Sequence, residues 1–139
     1  MNIAVRYYTR SGNTKTLADA IAKEAGVAVQ TVAVPLDEKV DILFLGSSVY
    51  AGGIDKSVKE FIISQADKIG TIVNFSTAAA LSSTYKQVRK VASSVGVSMS
   101  PEEFHCRGSF AMMHKGRPNA KDIQNVITFT KQVLQHTQN

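Results

Sequence analysis

The stretch Asp41-Ile42-Leu43-Phe44-Leu45-Gly46 constrains the fold of this chain more than any other. A strand with one wet face alternates apolar and polar residues, and this one does not. An unbroken apolar run fits a strand buried on both faces, as in a parallel sheet covered by helices. The rest of the chain supplies those covers. Ile3–Tyr8 is a β-prone run, and Leu17, Ala18, Ile21, Ala22 and Ala25 then recur at helical spacing up to a stop at Gly26. Val27–Val34 reads as a second strand ended by Pro35. Val58, Phe61 and Ile62 mark a helix, with Ser57 and Glu60 at capping-box spacing or a start up to a turn earlier. Thr71–Phe75 is a further strand, and Val88, Val91, Ala92 and Val95 form a helix stopped by Gly96. Phe104–Phe110 is a fifth strand. Asn119 caps a last helix, with Asp122 at the third position and a frayed tail from His136.

Strands alternating with helices predict a parallel sheet with helices on both faces. The segment after Pro35 is too short for a full crossover helix, whereas parallel neighbours need a connection of about a dozen residues. Either the second and third strands flank the first one, or the helix between them has been lost.

At 139 residues, 44 % of them hydrophobic and 19 % charged, the chain suits one globular domain with a core. It has no apolar run long enough to span a bilayer, and its first residues enter a strand pattern without the regions of a signal peptide. The single cysteine, Cys106, excludes an intrachain disulfide framework, and a cytoplasmic protein is the simplest reading. The formal charge of +5 comes from scattered Lys and Arg with no basic block, so a nucleic-acid partner is not expected. His105, His114 and His136 are not at metal-ligand spacing. Cys106 reads as a small buried hydrophobe, since a strand sends its neighbours His105 and Arg107 to the opposite face.

The chemistry is concentrated where the first strand gives way to the first helix, at Thr9-Arg10-Ser11-Gly12-Asn13-Thr14. In an open α/β sheet, ligands sit beyond the carboxyl ends of the strands, where the strand order reverses. The N–H groups and dipole of a helix N-terminus there favour an anion. Gly12 lets the backbone turn tightly, and Thr9, Ser11, Asn13 and Thr14 add short polar side chains. This is a nest for a phosphate. The lysine of a P-loop is missing, which argues against nucleoside triphosphate hydrolysis.

Thr-x-Ser-Gly-Asn-Thr after a first strand resembles the phosphate loop of flavodoxins, and the order of elements is similar to that of short-chain flavodoxins over nearly the whole chain. The resemblance implies a flavodoxin-like three-layer α/β/α sandwich over residues 1–139, with a parallel sheet of order 2-1-3-4-5. It also implies noncovalent flavin mononucleotide (FMN), with its phosphate on Thr9, Arg10, Ser11, Gly12, Asn13 and Thr14. Two later loops would meet the flavin ring. The first holds Ser48, Val49, Tyr50, Ala51, Gly52 and Gly53. Tyr50 stands where the family places a stacking aromatic, and Gly52 where a peptide can turn toward flavin N5. The second holds Ser76, Thr77 and Ala78, and lacks the aromatic and acidic residues the family commonly has there. The implied role is an electron carrier between a reductase and an acceptor protein, monomeric or weakly dimeric. Flavodoxins are typically acidic, and a chain at +5 departs from that pattern. The alternatives are a small FMN-dependent reductase of quinones or other small molecules using NAD(P)H, and a domain of this fold that binds flavin poorly.

Overall fold

The computed structural model describes residues 1–48, 53–78, 83–107 and 116–138. Five strands form one parallel sheet in the order β2-β1-β3-β4-β5: β1 (Ile3–Tyr7), β2 (Val29–Thr31), β3 (Val40–Ser48), β4 (Ile69–Ala78) and β5 (Ser98–Arg107). The helices are α1 (Asn13–Ala25), α2 (Lys56–Ser64), α3 (Tyr85–Ser94) and α4 (Ala120–Gln138).

The apolar run at 41–46 is the middle of β3, paired with β1 on one side and β4 on the other. Its side chains divide between two cores. Ile42 and Phe44 pack with Leu17 and Ile21 of α1 and Val126 and Val133 of α4. Leu43 and Leu45 pack with Val58, Phe61 and Ile62 of α2 and Val88 and Ala92 of α3. Both faces are dry, which explains why no polar residue interrupts Ile42–Leu45. Helix α1 ends as expected at Gly26, left-handed at φ 74°, whose N–H returns to the Ala22 and Lys23 carbonyls.

Of the two readings of the second crossover, the sheet shows the first: β2 and β3 flank β1. The second strand is much shorter than the expected Val27–Val34. Val27 N donates to Ala22 O in the cap of α1, and after Thr31 the chain turns off the edge, with Val34 N donating to Thr31 O. Arg6, on β1, drives that turn. Its side chain lies under the connection to β3, where Nε donates to Val34 O (2.9 Å) and Nη2 to Pro35 O (3.1 Å). Burial pulls the Arg6 pKa below its ordinary value and Asp37 opposes the shift. The guanidinium remains charged, because its reference value lies far above neutral pH.

Several expected boundaries also shift. Helix α2 starts before Ser57: its cap is Asp55, whose carboxylate accepts from Ser57 N (3.0 Å) and Ser57 Oγ (2.7 Å). Strand β4 runs on through Ser76, Thr77 and Ala78, where a loop is expected. Strand β5 begins at Ser98 rather than Phe104. It is an edge strand, so its first half tolerates Pro101 and two glutamates, and the register against β4 shifts between Ile72 and Asn74 where Pro101 falls. Phe110 lies outside the described residues. The tail does not fray at His136: α4 extends to Gln138, and His136 Nδ1 pairs with Glu102 Oε1 of β5.

The start of α4 is capped as the sequence suggests. Asp122 N donates to Asn119 Oδ1 (3.0 Å), and Asn119 N donates back to Asp122 Oδ2 (2.8 Å). The Asp122 carboxylate also accepts from the Arg117 guanidinium, and that hydrogen bond is the main reason its pKa falls below the ordinary carboxylate value. A depressed folded pKa stabilises the native state above the unfolded value of about 3.9, and the gain is lost as pH falls through the folded pKa. Asp122→Asn is therefore expected to lower stability at pH 7 and to flatten the acid limb of a stability–pH curve below about pH 4. Denaturant unfolding at a series of pH values checks this.

Candidate functional site

The carboxyl ends of β1, β3 and β4 converge beneath the N-terminus of α1. The strand order reverses at β1, with β2 on one side and β3 on the other, which makes this the ligand edge of the sheet. Gly12 is the N-cap of α1, left-handed at φ 89°, and no side chain caps the helix there. No acidic residue stands in the first turn. The N–H of Gly12 donates to Thr9 Oγ1 (3.1 Å) and that of Asn13 to Ser11 Oγ (3.4 Å). Neutral hydroxyls thus engage donors at the positive end of the helix dipole, and an anion would be the stronger acceptor. Residues 10–12 are exposed.

Thr14 differs from its neighbours. It is fully buried, and its Oγ1 lies 2.6 Å from Ser48 Oγ and 3.0 Å from Thr77 Oγ1, which are 3.2 Å from each other. Three hydroxyls in a ring can each donate once and accept once, so the knot is satisfied without water. It fastens α1 to the last residues of β3 and to β4. The structure therefore brings together Thr14, Ser48 and Thr77, named from three separate segments, as an anchor for the loop rather than as exposed hydroxyls. Thr14→Val keeps the shape and leaves two buried hydroxyls sharing one bond. A loss of about 1–3 kcal/mol in unfolding free energy is expected by denaturant titration.

The close approach of α1 depends on Gly46. A Cβ there would lie 2.3 Å from Phe75 Cε2 and 2.9 Å from Thr14 Cγ2. The missing side chain lets the Phe75 ring lie across β3 and support Thr14 from below.

A second buried polar set lies on the other face of the sheet. Ser47 Oγ and Asn74 Nδ2 both donate to Thr84 Oγ1 (3.0 Å each), and Thr84 N donates to Ser76 Oγ (3.4 Å). These bonds tie the residue before α3 to β3 and β4. Ser76 is thereby a structural tether at the base of the second loop. On the rim, the Arg10 guanidinium hydrogen-bonds Tyr8, the main reason its pKa is raised, and lies 3.5 Å from Asp55. The Asp55 carboxyl is held below its ordinary value, chiefly by its hydrogen bonds from Ser57 and then by Arg10.

Gly53 is placed just before α2, and Ala78 ends β4. Val49, Tyr50, Ala51 and Gly52 lie outside the described residues, as does His114. Cys106 is half-buried with its thiol pushed up to about 12, mainly by burial, so it is an inert thiol at neutral pH. Sequence reading did not single out Arg6, Ser47, Asn74 or Thr84. A lone arginine within Ile3-Ala4-Val5-Arg6-Tyr7 was the available signal for the first of these.

A flavodoxin-domain family model matches residues 4–116. An uncharacterized protein of Methanocaldococcus jannaschii is 30% identical over 140 aligned positions, covering 89% of this chain and 91% of that one. Among solved structures, a flavodoxin from the domain Archaea superposes with a TM-score of 0.81 at 17% identity, covering 100% of both chains. Flavodoxin 1 from Bacillus cereus, in its oxidised form, gives a TM-score of 0.75 at 16% identity, covering 98% of this chain and 99% of that one. A Fusobacterium nucleatum flavodoxin bound to flavin mononucleotide gives 0.68 at 11% identity, with coverage of 98% and 99%. The family match and the sheet order agree, and the chain belongs to the flavodoxin family.

Proposed function

We propose that residues 1–139 form one flavodoxin-like unit that binds FMN without a covalent link and carries electrons between redox proteins of the cytoplasm. The observation that carries this reading is the N-terminus of α1. Its N-cap residue makes no side-chain cap bond, its first turn is free of acidic residues, and it is turned by a left-handed glycine at the switch point of the sheet. That donor set fits a phosphate ester. The Fusobacterium nucleatum relative with flavin mononucleotide bound supports the choice of ligand.

In this reading the backbone of Thr9, Arg10, Ser11, Gly12, Asn13 and Thr14 holds the phosphate, and the Thr9 and Ser11 hydroxyls turn from the loop's own N–H groups to the anion. Ser48 and Thr77 keep the loop in place through Thr14. Tyr50 stacks on the ring, Val49, Ala51, Gly52 and Gly53 approach one edge, and Ser76, Thr77 and Ala78 approach another through the backbone. When bound, the flavin supplies one- and two-electron transfer, while the protein supplies binding, orientation and electrostatics.

The net charge of +5 favours a second reading. An acidic docking face steers a carrier to basic partners, and net charge gives this chain no such steering. A small FMN-dependent reductase of quinones or other small molecules would not need it. Anaerobic mixing of the FMN-loaded protein with NAD(P)H separates the two. A carrier stays oxidised until a reductase is added, and an enzyme bleaches alone and is reoxidised by quinone. A protein that gains no flavin from micromolar FMN would contradict both readings.

A further inference from the structure

The Lys and Arg residues that are scattered along the sequence collect on one layer of the fold. Helices α2 and α3 cover the same face of the sheet and share one core. Together they carry five cations, Lys56, Lys59, Lys86, Arg89 and Lys90, against one acid, Glu60. Helices α1 and α4, on the opposite face, carry four cations, Lys15, Lys23, Lys121 and Lys131, against three acids, Asp19, Glu24 and Asp122. All five cations of the α2–α3 layer are exposed. Glu60 lies 3.6 Å from Lys56. Lys59, Lys86, Arg89 and Lys90 make no ion pair among the described residues. Lys86 stands in the first turn of α3, where the helix dipole favours an anion, and Arg89 and Lys90 follow it at the spacings where like charges repel. Both arrangements cost the helix stability, and α3 has no acid to offset them.

This layer borders the phosphate loop. Its helices run against the strands, so their first turns lie at the carboxyl ends of the sheet. Thr84, just before α3, is bonded to Ser47 and Asn74 (3.0 Å each), and Asp55, the cap of α2, lies 3.5 Å from Arg10. On α2, Ser57, Glu60 and Ser64 line a cleft toward the end of β2. The helical period turns Lys59 and Ile63, one turn apart, to the other flank, on the side of α3. Ile63 is 55% exposed, the one large apolar side chain that the described helices leave so open. We infer that Lys59, Ile63, Lys86, Arg89 and Lys90 dock the acidic face of a redox protein, an inference that rests on the electron-carrier reading above. Patch and net charge have the same sign, so a negative partner is steered to the side of the molecule that borders the flavin site. Ile63 adds apolar contact to that surface. Other polyanions fit less well. Tyr85, the aromatic of α3, is half-buried and donates its hydroxyl to Ser100 O (2.8 Å), so its ring is held against β5 rather than held out to a nucleic-acid base. A single exposed isoleucine is too little apolar surface to insert into a bilayer.

Stopped-flow reoxidation of the dithionite-reduced, FMN-loaded protein by two cytochromes c tests this. The two have matched reduction potentials, one with an acidic and one with a basic haem edge, and each haem iron takes one electron from the flavin. The acidic cytochrome is expected to react about tenfold faster at low salt, with the advantage falling as salt is raised. Lys86→Gln/Arg89→Gln/Lys90→Gln should abolish the advantage. Lys23→Gln/Lys121→Gln/Lys131→Gln, which removes the same charge from the opposite face, should keep most of it. Both variants should bind FMN as the wild type does, which also shows that they are folded. Equal rates with the two cytochromes, or equal losses in the two variants, overturn the inference and leave the FMN reading intact. Tighter calorimetric binding of a single-stranded oligonucleotide or of phosphatidylserine vesicles than of the acidic cytochrome overturns the choice of partner. If the protein takes up no FMN but still binds the acidic cytochrome, and the α3 variant loses that binding, the surface stands and the carrier reading falls. If neither FMN nor the cytochrome binds, both fall.

Discussion

Ser11→Glu is expected to abolish FMN binding and leave the fold unchanged. Ser11 is exposed at the turn into α1, and its hydroxyl accepts only a long bond from Asn13 N (3.4 Å). A glutamate there costs little in the protein alone, because a negative charge is welcome at a helix N-terminus. It places that charge where the phosphate sits in the proposed reading. Two unit charges about 4 Å apart near a protein surface repel by about 4 kcal/mol, and even half of that weakens binding about thirtyfold. Ser11→Ala is the control, with only a small loss. Fluorescence titration of FMN, beside circular dichroism of the free protein, checks both parts. Normal binding by Ser11→Glu would contradict the assignment of the loop.

Gly46→Ala is expected to be strongly destabilising. The added carbon would meet a fully buried Phe75 ring at 2.3 and 2.4 Å and the Thr14 methyl at 2.9 Å. Phe75 is fully buried, so its ring can shift only by displacing packed neighbours. Overpacking of this kind costs typically about 1–3 kcal/mol. Taking about 3 kcal/mol, Tm falls by about 10 °C in a chain of this size. Phe75→Leu in the same molecule should recover part of the loss, because it removes the atoms that clash. The strain should also reach the site, since Thr14 is displaced along with the ring, so FMN affinity should fall in Gly46→Ala. Thermal melts of the two single variants and the double variant provide the measurement. Additive effects would show that Gly46 and Phe75 are not coupled.

The architecture was legible because it depends on periodicity. The dry run at Ile42–Leu45, the stripe from Leu17 to Ala25 and the glycine stops at Gly26 and Gly96 each carry their own signal. Errors came where a tertiary partner replaces a local preference. Val32, Ala33 and Val34 look like strand, but Arg6 takes the carbonyls that follow and draws the chain off the edge. Ser98–Glu103 looks like loop, but an edge strand tolerates proline and charge on its open side. Ser76 and Thr77 look like turn residues, but their hydroxyls meet partners from distant segments, so they extend β4 instead. The candidate site was legible as a loop and not as an assembly. Thr9 through Thr14 stand out as residue types between a strand and a helix. The contact of Thr14 with Ser48 and Thr77, and that of Thr84 with Ser47 and Asn74, exists only once the sheet has brought its strand ends together.

The central claim is that the N-terminus of α1 recognises a phosphate ester. Parallel titrations with FMN and with riboflavin, which has the same ring and no phosphate, test it most directly. The account predicts that FMN binds at micromolar concentration or below and that riboflavin binds at least about a hundredfold more weakly, a difference of about 2.7 kcal/mol. Equal affinity for the two, or tighter binding of riboflavin, would contradict it.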